Sequence, residues 1–269
     1  MTSIRFIAAA LAIAATASCG PGRTAFARYP GATPAFDRNA SDPKAVAIAD
    51  AVVAAAGGQE RWAAAKQVRW SETIAHEGKP AFDGEEAWDR WQGRHHGRLH
   101  RDEGDMIVMR ALYDDDSNVF IERSGQLVKL PPEEARHALP AAAERWQFDT
   151  AALCMQFLLE EPGTKLEYVG EPADDATLED IKVSFDPKDT NRGGVTYQIS
   201  VHKDSHVIER LMILKAGGNI GYKLSQWVDV GGLKFPTLEN NLGYAGEVIT
   251  FKNITTGSPD ELLYSPPIH

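Results

Sequence analysis

The feature that most constrains this chain is a side-chain period of two that recurs through its second half. Ile181, Val183 and Phe185 alternate with polar neighbours, and Val195, Tyr197, Ile199 and Val201 do so again. Successive Cβ atoms of a strand point to opposite faces of a sheet, so this pattern predicts strands with one buried face. "HKDSH" turns the chain into "VIERLMIL", "GYKLSQWVDVGGLKFPTLENNLG" predicts a hairpin turning at Val230-Gly231-Gly232, and "EVITFKNI" is the last clear strand. Strands in succession joined by hairpin turns predict an antiparallel meander.

The same period begins at Gln67. Val68, Trp70 and Ile74 share one face, interrupted by Glu72, whose carboxylate marks either a cavity mouth or a partly wet face. Met106 to Leu112 is apolar on both faces, which predicts a central strand covered twice. A helical insert spans about 131–161. Pro131-Pro132 opens "EEARHALPAAAERW", and Asp149 reads as the N-cap of a second, strongly apolar helix, "TAALCMQFLLEE", closed by Pro162-Gly163. Ahead of the meander, Asp42 caps a helix with Pro43 at its first position. That helix, "KAVAIADAVVAAA", stops at Gly57-Gly58, and a short helix carrying Trp62 follows.

The N-terminus reads as an export signal over 1–18: one positive charge, Arg5, then the uncharged run "FIAAALAIAATA", too short to span a bilayer comfortably. "TASCGPG" resembles the lipobox of bacterial lipoproteins in Ala17, Ser18 and Cys19 and departs from it at Thr16. The resemblance implies acylation of Cys19; ordinary signal cleavage is the alternative. Gly20 in place of aspartate implies, by the same resemblance, the outer membrane. Residues 19–43, rich in Gly, Pro and Ala, read as a flexible tether, and 44–269 as one domain. The net charge of −10 leaves no basic stripe for nucleic acid. Cys154, the only other cysteine, lies in an apolar stretch and reads as a buried small hydrophobe.

Few segments hold residue types that carry chemistry. In "GRHHGRLHRDEGD", His96 and His100 share a face and Asp102 adds a carboxylate, a set suited to zinc or copper. Arg94, Arg98 and Arg101 surround them and disfavour a cation, so no metal is expected. "YDDDSN" lacks the glycine and distal glutamate of an EF-hand loop. No G-x-S-x-G occurs, and "AGGNIG" opens no helix that could cradle a phosphate. Neither a catalytic constellation nor a cofactor is expected.

The order of elements resembles the LolA/LolB-like family of bacterial envelope proteins, the outer-membrane lipoprotein-sorting type. Ala54–Trp62, Val228–Thr237, Val248–Thr255 and Leu263–Pro267 carry the resemblance. It implies a mainly β (α+β) fold: an open antiparallel half-barrel of roughly ten strands with helices plugging its concave face, non-catalytic, holding a hydrophobic molecule between sheet and helices. The expected ligand is an acyl chain, a lipid or a lipoprotein, in a membrane-anchored or soluble periplasmic protein. Other envelope proteins are the alternative partners, with the core filled and no ligand. Cavity residues are then expected among Val68, Trp70, Ile74, Met106, Val108, Leu112, Leu153, Phe157 and Leu158. If the helix before Gly57 moves, Gly57 and Gly58 are its hinge.

Overall fold

The computed structural model describes residues 36–113 and 116–266. The export signal, Cys19 and most of the proposed tether lie outside the described residues. Within them, residues 36–43 are built against the domain: a 3-10 turn, Arg38–Ala40, leads into the first helix, and Arg38 is paired with Asp50 at 2.7 Å.

Three helices accompany the sheet. α1 is Pro43–Ala55, α2 Gln59–Ala64 and α3 Pro132–Leu158. Asp42 caps α1 through the backbone N–H groups of Lys44 and Ala45, as its sequence position predicts. The strands are β1 Gln67–His76, β2 Lys79–Asp89, β3 Arg94–Leu99, β4 Met106–Ala111, β5 Ser117–Arg123, β6 Gln126–Lys129, β7 Thr164–Gly170, β8 Leu178–Phe185, β9 Thr196–His202, β10 Ile208–Leu214, β11 Ile220–Ser225, β12 Val228–Val230, β13 Leu233–Phe235, β14 Leu238–Asn241 and β15 Glu247–Gly257.

Among the described residues thirteen strands form one antiparallel sheet in the order β6-β5-β4-β3-β2-β1-β15-β14-β11-β10-β9-β8-β7. The two ends, β6 and β7, do not pair, so the sheet curves without closing. It is the open, mainly β architecture expected, with more strands than the resemblance implied. Each half is a meander because hairpin turns join sequence neighbours. The long pairing of β1 with β15, Gln67↔Gly257 through His76↔Glu247, joins the halves. The β7 edge is partly covered: Ser41 Oγ accepts from Leu166 N at 3.0 Å, and Asp42 N donates to Leu166 O at 2.9 Å. Such cover protects an edge that could otherwise pair with another chain.

β12 and β13 form a separate hairpin rather than extending the sheet. Its turn lies where the sequence places it, at Gly231 and Gly232, with φ of 64° and 83°, the left-handed pair that a tight hairpin needs. The hairpin is pinned under the helices: Lys234 N donates to Ala56 O, and Gln156 Nε2 donates to Lys234 O, both at 2.9 Å. Leu233 and Phe235 fill the core beneath.

The insert differs from its sequence reading. It is one helix of 27 residues, not two, and it runs through Pro140. Pro140 leaves one backbone carbonyl unpaired but does not end the helix. Asp149 is no N-cap: its carboxylate is fully buried and accepts from Arg145 Nε, one turn earlier, at 3.1 Å. That partner removes the need for a capping role and lets the helix continue.

Candidate functional site

The concave face divides into a closed half and an open half. In the closed half α1 packs against β7 and α3, and Trp62 of α2 and Phe157 of α3 share one apolar cluster with Val68, Trp70 and Trp88 of β1 and β2 and Phe235 of the hairpin. Trp62, in α2, is fully buried there. Its indole N–H donates to Glu161 Oε1 at 2.9 Å, and its ring stacks on Phe157 at 4.5 Å between centroids. The Arg90 guanidinium lies 3.5 Å from the centroid of that ring and donates to the carbonyls of Trp62 and Ala65 and to Glu161. A buried cation is tolerable where every strong donor finds an acceptor and an aromatic face.

The loop from β8 to β9 reaches across the mouth of this half. Asn191 donates to Leu112 O and accepts from Arg110 Nη2 at 3.0 Å. Arg192 is buried beside Trp88 and Trp146, 5.1 and 5.8 Å from their ring centroids.

The open half is a groove of about 580 Å³ between the middle of α3 and the concave face of β9, β10, β11, β15 and β1. Ala141, Glu144, Arg145 and Phe148 line it from the helix, spaced so that they share one face. From the sheet come Ile74, Val195, Tyr197, Ile213, Ile220 and Ile249. Their alternation and pairing explain the floor. Ile213 stands opposite both Tyr197 and Ile220, and Ile74 stands opposite Ile249. Directly paired residues share a face, so an apolar row runs across the strands. Polar groups stand at the rim. Tyr222 Oη donates to Glu247 Oε1 at 3.1 Å, and Lys215 lies 3.8 Å from Glu144.

Behind the groove lies a buried polar layer. Arg145 contacts the Glu72 and Asp149 carboxylates together. Glu239 of β14 is fully buried nearby. Burial pushes its carboxyl up to about 8; the Asp149 charge adds to this and Arg145 opposes it. Asp149 itself is pushed up to about 7, by burial first, with Arg145 pulling it down and Glu86 adding to the rise. Glu86 is bonded to His95; burial lifts the acid to about 8 and drops the imidazole to about 3.

Of the residues the sequence marked as cavity-lining, Ile74 lines the groove. Val68, Trp70, Leu112, Leu153, Phe157 and Leu158 lie together in the closed half. Met106 and Val108 pack separately with Val119, under the first turns of α3. Val195, Tyr197, Ile213, Ile220 and Ile249 were missed as cavity residues. Their signal was the same clean alternation that identified the strands. The expected hinge glycines differ from each other. Gly57 has φ of 123°, and a Cβ there would stand 2.1 Å from Gly232 O; Gly58 has φ of 90° and open space. Gly57 is therefore a close-approach position against the hairpin.

The histidine segment does not converge on a cation. His100 turns to Asp105, 3.1 Å away. Burial, His95 and Arg98 push His96 down to about 4. Among the described residues no group of three or more His, Cys, Asp or Glu is placed to hold a metal ion. Among them too, no helix is long and apolar enough to cross a membrane.

No protein-family model matches the sequence, and no curated protein does. Among solved structures, the chain is similar to a putative outer membrane lipoprotein-sorting protein domain from Vibrio parahaemolyticus. The two are 7% identical, with 82% of this chain and 96% of that chain covered, at a TM-score of 0.45. It is also similar to a LolA superfamily protein from Nitrosomonas europaea, 10% identical, covering 82% and 97%, at a TM-score of 0.40. The MucA/MucB complex of Pseudomonas aeruginosa matches at 14% identity, over 83% of this chain and 61% of that chain, with a TM-score of 0.24. Identities and scores this low say nothing of function, and the functional reading rests on the geometry of the chain itself.

Proposed function

We propose that the protein is a non-catalytic, exported envelope protein that holds a hydrophobic ligand, an acyl chain or the acyl part of a lipid, in the groove between α3 and β9–β11. The observation that carries this reading is the groove. Ligand sites fall in the range of roughly 300–1,000 Å³ and are mostly apolar with a few placed polar groups, and this one has about 580 Å³ over a floor of isoleucine, valine and aromatic side chains. In the closed half, by contrast, Trp62, Phe157 and Phe235 fill the space under the helices. The export signal and the lipobox-like "TASC" are consistent with an envelope location and a membrane anchor through Cys19.

A fluorescent acyl probe tests the reading. The wild type is expected to bind it in the micromolar range or tighter, about −8 kcal/mol. Ala141→Trp places a large ring over the groove from an exposed helical position and should weaken binding by tenfold or more with little change in melting temperature. Absence of probe binding by the wild type, or unchanged binding by Ala141→Trp, contradicts the proposal. Absence of binding leaves the interaction-module reading, in which the face serves another envelope protein.

A further inference from the structure

Three carboxylates from three elements converge behind the groove: Asp149 from α3, Glu72 from β1 and Glu239 from β14, all fully buried. Arg145 of α3 binds the first two, and neither carboxylate oxygen of Glu239 has a hydrogen-bond partner. Other charged or titratable groups face this layer from each packed element. They are Glu86 and His95, bonded to each other on β2 and β3, Arg110 on β4, and Tyr222 and Glu247 toward the groove rim, with Glu144 and Lys215 outside them. One guanidinium balances one of three buried carboxylates. A buried acid left without a partner takes up a proton rather than stay charged.

We propose that α3 is a proton-linked lid: its seat over the groove depends on Asp149 and Glu239 holding protons, and their ionisation releases the middle of the helix from the sheet. The coupling to the groove is direct, because Arg145 and Phe148, which wall it, flank Asp149 on the same two turns. The sign follows from burial, which raises both acids to about 7 and about 8. The seated helix binds more protons than the released one. Its seat is firmest below the ordinary carboxylate range, weakens as pH rises, and is lost as pH passes through the raised values. Above them Asp149 and Glu239 carry like charges in one buried layer, with the single Arg145 guanidinium shared between Asp149 and Glu72.

The consequence for ligand entry rests on the proposed groove function, but the helix itself can be followed without any ligand, so the two can fail separately. Hydrogen exchange in residues 141–149 of the full-length protein is measured from about pH 6 to about pH 8.5, corrected for the intrinsic pH dependence of exchange. Protection of this segment should fall by about tenfold or more while that of β9 and β10 holds. Glu239→Gln should flatten the dependence. Asp149→Asn, which keeps an acceptor for Arg145, should do the same and serves if the first variant does not fold. Protection of α3 that ignores pH in the wild type overturns the proposal, as does an unchanged pH dependence in either folded variant.

Discussion

At the scale of single residues, Trp62, Gly57 and Cys154 are each fixed by a different physical constraint. Trp62 is held by a stacked ring, a hydrogen bond to Glu161 and the Arg90 guanidinium. Trp62→Ala should cost about 3–5 kcal/mol in urea unfolding, the range for truncating a buried large aromatic. Gly57 and Gly58 both have left-handed φ, so alanine is strained at either. Only at Gly57 does the new Cβ also meet backbone, at Gly232 O. Gly57→Ala should therefore destabilise by at least about 1 kcal/mol more than Gly58→Ala in the same assay. It follows that a hinge is better probed at Gly58, where alanine meets no backbone clash and only the strain of its φ accompanies the loss of motion. Burial pushes the Cys154 thiol up to about 12, so a thiol reagent should label Cys154 only as fast as the protein unfolds.

At the scale of elements, the sheet was legible and the helix that shapes the groove was less so. Alternation such as that of Val195 to Val201 reports the strand and its buried face directly, because it is a local property of the backbone. The two tandem glycines likewise place the β12–β13 turn. Asp149 misled because Asp is a common N-cap and the local sequence gives no other use for it. Its use is tertiary: Arg145 contacts it together with Glu72, which is 73 positions from Arg145 in sequence. Glu72 itself was visible as a break in an apolar face, but its partner was not. The groove was illegible for a different reason. Closed core and open groove are both apolar on the inward face: Trp70 and Ile249 are equally buried in one apolar cluster, so local sequence does not tell them apart. Arg145→Ala removes the cation from two buried carboxylates and should cost about 3–5 kcal/mol, the cost of breaking a buried pair. Arg145→Lys, which cannot bridge both acids with a planar fork, should recover only part of it.

At the scale of the whole molecule, the open sheet explains how one chain can be both firmly packed and hollow. The β8–β9 loop and the small hairpin close one end of the concave face, while α3 spans the other without filling it. Buried acids give this arrangement a pH signature. Glu86, Asp149, Glu160 and Glu239 are raised by burial to about 7 or 8, so the folded state holds protons that the unfolded state has released. His95 and His96 are lowered to about 3 and 4 and act oppositely, but only below the ordinary histidine value. Between about pH 6.5 and pH 8 the acids act alone, and the melting temperature should fall as pH rises. A melting temperature that climbs across this interval contradicts the buried layer as described.

The central claim is that the groove under α3 holds a hydrophobic ligand, and native mass spectrometry of protein purified without detergent tests it most directly. The account predicts a wild-type population carrying the added mass of an acyl-chain lipid, which organic extraction releases and which Ala141→Trp lacks. Wild-type protein that appears only at its bare mass, and stays so after incubation with fatty acid or phospholipid, would contradict it.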